Sequence, residues 1–140
     1  VLYAAVTAFL PSGAIVGTIY KSTNAGASWS ESSAGIAGQD VRALLIDPSD
    51  ASGNTIYAGT GGDGANPGGV YRSTDGGLTW SAWRNIAPVT GYQGQALWQE
   101  HPTIYVDNDN QIYVVWEGRD DWYTQSAQIR AVCIDPPMAA

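Results

Sequence analysis

Val70–Trp80 reads Val-Tyr-Arg-Ser-Thr-Asp-Gly-Gly-Leu-Thr-Trp. An earlier stretch, Ile19–Trp29, reads Ile-Tyr-Lys-Ser-Thr-Asn-Ala-Gly-Ala-Ser-Trp, so that an apolar residue, Tyr, a basic residue, Ser-Thr, Asp or Asn, Gly and Trp recur at the same spacing. Ser73 follows Ser22 after 51 positions (73 − 22). A repeat of this length is typical of a β-propeller blade.

Each copy predicts a tight β-hairpin in which the Tyr-containing strand enters a turn and the Trp-containing strand leaves it. Asp75 and Asn24 have short polar side chains that can accept backbone N–H bonds one or two residues on. Gly77 and Gly26 can take the positive φ that such a turn requires. We expect the tryptophan that ends each copy to pack against its own turn and stabilise it.

The pattern Ser-x-Asp-x-Gly-x-x-Trp resembles the Asp-box, or bacterial neuraminidase repeat, of sialidases, xyloglucan-degrading enzymes, sortilin-type receptors and photosystem assembly factors. Two sets of residues carry the resemblance, the second with Asn for Asp: Ser73, Asp75, Gly77 and Trp80, and Ser22, Asn24, Gly26 and Trp29. The resemblance implies a β-propeller in which these residues are structural. It implies little about activity, because proteins that share this fold have unrelated functions.

The strand pattern predicts an all-β protein built as a partial β-propeller of about two and a half four-stranded antiparallel blades. The units cover residues of about 1–38, 39–88 and 89–140 in a single domain, 1–140. The ten predicted strands are Leu2–Ala8, Ala14–Lys21, Ser28–Ser32, Val41–Ile46, Thr55–Thr60, the strand of Val70, Leu78–Arg84, His101–Asp107, Gln111–Glu117 and Gln128–Ile134. We expect Ala87–Glu100 to be irregular, with one helical turn at Gln95–Glu100.

The length of 140 residues is short for a closed propeller of 4–8 blades. The first residue is Val and the repeat pattern is cut at both ends. We therefore expect a fragment, a trimmed domain, or a chain that completes its ring with other copies. Open sheet edges favour association, so the expectation is a homo-oligomer or part of a larger chain.

The composition excludes several function classes. A net charge of −7 with a single Lys disfavours nucleic acid and anionic membranes as partners. No apolar run approaches the ~20 residues of a membrane-spanning helix. Cys133 is the only cysteine, so an internal disulfide is impossible, and neither a zinc site nor any other metal or cofactor is expected. We expect a soluble protein from outside the cell or from the cell envelope.

In the Asp-box family that the repeat resembles, the active sites lie on the face opposite the Ser-x-Asp turns, so the resemblance implies a ligand site in the loops of that face. Their aromatic and charged residues are Tyr92, Trp98, Glu100, His101, Glu117, Arg119, Asp120, Asp121, Trp122 and Tyr123. Flat aromatic faces stack on sugar rings, and carboxylates or Arg fix hydroxyls and anionic groups. The pattern predicts binding of carbohydrate or protein through Trp98, Arg119, Asp120, Asp121, Trp122 and Tyr123. The alternative is that the aromatic residues fill contacts between blades and that the charge run is a solvated turn.

A second resemblance covers His101–Ile104 and Val115–Arg119, which are similar to the opening blade of exo-sialidases. It implies that Glu117 stands at the family's glutamate, Arg119 at an arginine of the triad that binds the substrate carboxylate, and Asp121 nearest to the acid/base aspartate. His101 replaces the first arginine of that triad and follows Glu100, which would repel a sialic acid carboxylate.

The predicted function is therefore a non-catalytic binding module. The alternative is a piece of a glycoside hydrolase, sialidase-like or xyloglucanase-like, with Asp63, Glu117 and Asp121 as catalytic candidates. Asp63 is the nearest analogue of a xyloglucanase aspartate, but the preceding arginine of that motif is missing.

Overall fold

The structure is a computed structural model that describes residues 1–13, 15–62, 68–85, 98–107, 109, 111–119 and 127–134. Within these ranges the chain forms ten β-strands and no helix. The strands are β1 Leu2–Phe9, β2 Ile15–Ser22, β3 Ser30–Glu31, β4 Val41–Ile46, β5 Ile56–Thr60, β6 Gly69–Ser73, β7 Ser81–Asn85, β8 Trp98–Val106, β9 Ile112–Arg119 and β10 Ala127–Ile134. The described residues include no helix that is long and apolar enough to cross a membrane.

The strands form three antiparallel sheets. Sheet 1 has the order β1-β2-β3, sheet 2 the order β4-β5-β6-β7, and sheet 3 the order β10-β9-β8. The all-β prediction is confirmed, and the sheets contain three, four and three strands as the sequence indicated.

Some predicted boundaries were wrong. The helical turn expected at Gln95–Glu100 is replaced over residues 98–100 by the start of β8, because these residues pair with Arg119, Gly118 and Glu117 of β9. Pairing with a neighbouring strand thus overrides the local pattern. Strand β7 begins at Ser81 rather than Leu78, since the residues before Ser81 still belong to the turn that follows β6.

Sheets 1 and 2 are built in the same register. Leu2, Tyr3 and Ala4 pair with Ser22, Lys21 and Tyr20. In sheet 2, Ile56, Tyr57 and Ala58 pair with Ser73, Arg72 and Tyr71. A cation also lies over the tyrosine ring in both sheets. Lys21 Nζ is 5.6 Å from the ring centroid of Tyr3, and Arg72 Cζ is 5.9 Å from that of Tyr57. The positions of β1 and β2 that pair in this way therefore have equivalents in β5 and β6.

Each sheet has two faces, because successive side chains of a strand point to opposite sides. We call the side of Leu2, with its equivalents Ile56 in sheet 2 and Ile112 in sheet 3, the leading face. The side of Tyr3, with its equivalents Tyr57 and Tyr113, is the trailing face.

The core lies between the sheets in two clusters. The trailing face of sheet 1 meets the leading face of sheet 2 in a cluster of Tyr3, Ala5, Ile19, Ile36, Val41, Leu44, Ile56, Ala58, Tyr71 and Trp80. The trailing face of sheet 2 meets the leading face of sheet 3 in a cluster of Leu45, Tyr57, Val70, Ile104, Val106, Ile112, Val114 and Trp116. The sheets thus stack head to tail, trailing face on leading face.

The connections collect at two edges. Gly76 N donates to Asn54 O at 2.9 Å, which places the β4–β5 connection beside the turn after β6. Gly61 N donates to Asp40 O at 2.8 Å, which joins the connections before β4 and after β5 at the other end. We call these ends the turn edge and the loop edge.

Candidate functional site

The turn after β6 is held by the side chains of Ser73 and Asp75. Ser73 Oγ accepts the N–H of Gly77 at 2.9 Å and donates to Asp75 Oδ1 at 2.8 Å. Asp75 Oδ1 also accepts the N–H of Thr79 at 2.9 Å, and Asp75 Oδ2 accepts the Thr79 hydroxyl at 2.5 Å. Gly76 and Gly77 have φ of 69° and 84°, where a side chain would be strained.

The turn after β2 repeats these contacts. Ser22 Oγ accepts the N–H of Gly26 at 2.9 Å and donates to Asn24 Oδ1 at 3.0 Å. Asn24 Oδ1 accepts the N–H of Ser28 at 2.9 Å. In both turns the backbone donor to the Asp or Asn lies four residues on, rather than the one or two that the sequence suggested. The nearer backbone donors go to the serine, which the turn pattern did not reveal.

These hydrogen bonds stabilise the charged form of Asp75. The Thr79 hydroxyl and the Thr79 N–H are the main causes, and they lower the pKa of the carboxyl from its ordinary 3.8 to about 2. Asn24 makes the equivalent contacts without a charge, so only the second turn titrates.

The second turn also ties sheet 2 to sheet 1. Gly76 O accepts the Tyr3 hydroxyl at 2.8 Å and Lys21 Nζ at 2.7 Å, and Gly77 O accepts the hydroxyl of Ser32. The Asp-box candidates of this turn therefore make structural contacts at the turn edge.

The two tryptophans of the turns have different surroundings. Trp80 is 5% exposed, and its indole N–H donates to Ser32 O at 2.7 Å. Trp29 is 44% exposed. The expectation that each tryptophan covers its own turn therefore misses the main contact of Trp80, which is with the preceding sheet.

The loop edge brings together five of the aromatic and charged candidate residues. Trp98 is the cross-strand partner of Arg119, and Glu100 is the partner of Glu117. Glu117 Oε2 lies 3.5 Å from Nδ1 of His101, so the two form an ion pair when the imidazole is protonated. The residues of the exo-sialidase resemblance on β8 and β9 are thus neighbours.

His101 lies at a β-bulge, where the pairing of β8 with β9 shifts between Glu100 and Thr103. Its φ of 52° is uncommon for a residue other than glycine. The next residue, Pro102, is buried against sheet 2, and a Cβ added to Gly59 would lie 3.3 Å from Pro102 Cβ. Gly59 leaves the space that Pro102 fills, and the bulge turns His101 toward Glu117. Bulges of this kind often set the direction of a functional side chain.

The remaining sequence candidates fall outside the described residues. These are Asp63, Tyr92, Asp120, Asp121, Trp122 and Tyr123.

Sequence reasoning missed a second ion pair at the loop edge. Asp40 Oδ2 lies 2.6 Å from Nη2 and 2.7 Å from Nε of Arg42. Asp40 is buried, and among the described residues its Oδ1 has no hydrogen-bond partner. The signal in the sequence is the triplet Asp-Val-Arg, which places two charged residues at the start of an otherwise apolar strand.

Asp40 and Arg42 border a cleft between sheets 1 and 2. Its volume is about 380 Å³, and it is lined by Ala5, Thr7, Phe9, Asp40, Val41 and Arg42. A guanidinium beside an apolar wall can hold a polar group of a ligand while the wall contacts its carbon atoms. No group of three or more His, Cys, Asp or Glu that could hold a metal ion occurs in the described part of the chain.

Comparison with protein-family models, with curated proteins and with solved structures found no match to this chain. The Asp-box and sialidase resemblances therefore stay predictions.

Proposed function

We propose that the chain is a non-catalytic β-propeller module of the Asp-box type whose loop edge binds carbohydrate or protein. The observation that carries this proposal is the pairing of carboxylates with cations at that edge. Asp40 lies against Arg42, and Glu117 lies within 3.5 Å of His101. Carboxylates held in this way suit the binding of polar groups.

A glycoside hydrolase needs a different arrangement. Its two carboxyl groups face each other across the substrate at about 5–9.5 Å, and one of them has a raised pKa. Among the described residues, the carboxylates with a clearly shifted pKa are Asp50 and Asp75. Both pKa values are lowered and both side chains lie at the turn edge, so neither is an acid of this kind.

The propeller itself is part of the proposal. It is supported by the shared register of sheets 1 and 2, by their head-to-tail stacking with sheet 3, and by two turns with the same hydrogen bonds. The Asp-box proteins that these turns resemble place their ligand sites on the edge opposite the turns, which is the loop edge here.

The ligand class follows from the residues at this edge. Trp98 and Arg119 are cross-strand partners, and Asp120, Asp121, Trp122 and Tyr123 follow directly in the sequence. An aromatic contact contributes about 0.5–1.5 kcal/mol beyond the buried area, so a few such contacts give weak binding that suits a repetitive ligand. We propose that the protein acts outside the cell or in the cell envelope, where such ligands are abundant.

A glycan array tests the binding role. We expect Trp122→Ala and Arg119→Ala to bind more weakly than the unsubstituted chain to the glycans that the unsubstituted chain recognises. Tyr105→Ala is the matched control, because Tyr105 is an exposed aromatic residue near the turn edge. Binding that survives both substitutions would place the site elsewhere.

Activity assays test the non-catalytic part. We expect fluorogenic sialosides and xyloglucan to remain uncleaved over long incubations. Turnover of either substrate class, lost in Glu117→Gln, would replace the proposal with the glycoside hydrolase alternative.

A further inference from the structure

The leading face of sheet 1 is apolar and exposed, whereas the same face of sheet 2 is buried. Leu2 is 46% exposed and its equivalent Ile56 is fully buried. Trp29 is 44% exposed and its equivalent Trp80 is 5% exposed. Val6 and Tyr20 on this face are also exposed. Leu2 and Trp29 lie side by side, since a Cβ on Gly26 would be within 3.9 Å of both.

The internal repeat shows what kind of surface covers such a face. The leading face of sheet 2 is covered by the trailing face of sheet 1, through Tyr3, Ala5 and Ile19. The leading face of sheet 3 is covered in the same way by sheet 2, through Tyr57 and Val70. One mode of contact is thus used twice within the chain.

The chain also carries a third trailing face, on sheet 3. Tyr113 stands at the position of Tyr3 and Tyr57, and its cross-strand partner Tyr105 is 59% exposed. Tyr105 is the equivalent of Leu45, which packs at the boundary between sheets 2 and 3. The exposed face of sheet 1 and the face of sheet 3 are therefore of complementary kinds.

We propose that the leading face of sheet 1 docks onto the trailing face of sheet 3 in a second copy of this chain. The contact repeats the head-to-tail stacking inside the chain, so it is heterologous, with different surfaces on the two partners. Repetition of such a contact closes a ring when the rotation per sheet allows it. This inference concerns assembly and does not depend on the ligand site at the loop edge.

Sedimentation equilibrium over a range of concentrations tests the docking. We expect reversible self-association that Leu2→Asp weakens roughly tenfold or more, because the contact would bury an unpaired charge. Val6→Asp is a second variant on the same face. Leu78→Asp is the matched control, since Leu78 is 68% exposed and lies in the turn after β6, away from this face. Near-UV circular dichroism establishes that each variant is folded.

Mixing two variants tests the head-to-tail geometry. Leu2→Asp blocks the leading face and Tyr105→Asp the trailing face, so each variant alone should associate weakly. A mixture retains one intact face of each kind and should form a 1:1 heterodimer that does not grow further. The proposal is overturned by a parent chain that is monomeric at every concentration, by Leu78→Asp acting as strongly as Leu2→Asp, or by undiminished self-association of Tyr105→Asp.

Discussion

Trp80 donates its indole N–H to the main-chain carbonyl of Ser32 at 2.7 Å, across the boundary between sheets 2 and 1. The backbone N–H of Trp80 is also engaged there, with Ala34 O at 2.8 Å. The tryptophan that ends the second turn is therefore a link between sheets. Its counterpart Trp29 has the same place in sheet 1 but is 44% exposed.

Trp80→Phe should lower the free energy of unfolding by about 1–3 kcal/mol. The substitution keeps an aromatic ring but leaves the buried Ser32 carbonyl without its indole donor, and an unsatisfied buried acceptor has a cost of this size. Denaturant unfolding at low protein concentration measures it. Trp29→Phe is the matched control and should change stability by less than about 0.5 kcal/mol, as surface substitutions usually do. Equal losses in the two variants would contradict the linking role of Trp80.

Asp75→Ala should lower the free energy of unfolding by about 1–2 kcal/mol, the usual scale for a lost capping or turn group. The Thr79 N–H and the Ser73 hydroxyl both lose their acceptor. Asn24→Ala should have a smaller effect, because a neutral amide oxygen accepts weaker hydrogen bonds than a carboxylate. Thermal unfolding of the two variants provides the comparison, and an unchanged midpoint for Asp75→Ala would refute the role given to this side chain.

The stability contribution of the Asp75 charge should depend on pH. The pKa is about 2 in the folded chain and near the ordinary 3.8 when unfolded, so the unfolded chain binds the proton first as the pH falls. The contribution is therefore fully present above about pH 4 and is lost as the pH drops toward 2. Unfolding free energies of the parent and of Asp75→Asn, measured from pH 6 to pH 2, should differ most at the upper end and converge at the lower end.

Asp50 is the internal control for that measurement. Its pKa is also lowered, chiefly by hydrogen bonds from Ser52 and Thr55, and it is present in both chains. Its effect on stability cancels in the difference between parent and variant. A difference that stays constant across the pH range would show that the Asp75 charge is not linked to folding.

The strand pattern and the turns could be predicted because they depend on local chemistry. Alternating apolar residues, Ser-Thr-Asp and paired glycines specify strands and turns within a few residues of sequence. Three other features could not be predicted in this way. They are the acceptance of a backbone N–H by Ser22 and Ser73, the inter-sheet contact of Trp80, and the ion pair of Asp40 with Arg42. Only the Trp80 contact depends on segments that are brought together when the sheets stack. The serine hydrogen bonds and the Asp40–Arg42 pair span four and two residues of sequence, and the local pattern did not show which side chain accepts which donor.

The arrangement at the loop edge was also predicted only in part from the sequence. The sequence singled out Glu117 and His101 from a resemblance, and the pairing of β8 with β9 brings them within 3.5 Å. The bulge that makes this possible has no local signal apart from Pro102, and its partner is Gly59 in another sheet. The start of β8 at Trp98 was not predicted for a related reason, because the pairing of β8 with β9 is a contact between distant segments.

The close approach of the two sheets at Gly35 gives the last prediction. Gly35 has a φ of +90°, and a Cβ there would lie 2.1 Å from Trp80 O, which is a main-chain atom that cannot swing aside. Gly38 has a similar φ of +84°, but a Cβ there would meet nothing within 4 Å. Gly38→Ala should therefore suffer only the backbone strain of a left-handed alanine, about 1–2 kcal/mol. Gly35→Ala should suffer that strain and a steric clash at the boundary between sheets, which adds typically 1–3 kcal/mol or more.

Denaturant unfolding of the two alanine variants isolates the clash, because the shared strain cancels in the comparison. We expect Gly35→Ala to be the less stable of the two and to show a larger change in tryptophan fluorescence in the native state, since Trp80 must move away from Ser32. A loss of stability no greater than that of Gly38→Ala would mean that the two sheets can separate at this point without cost. In that case the stacking of sheet 2 on sheet 1 would not depend on the contact between Ala34, Gly35 and Trp80.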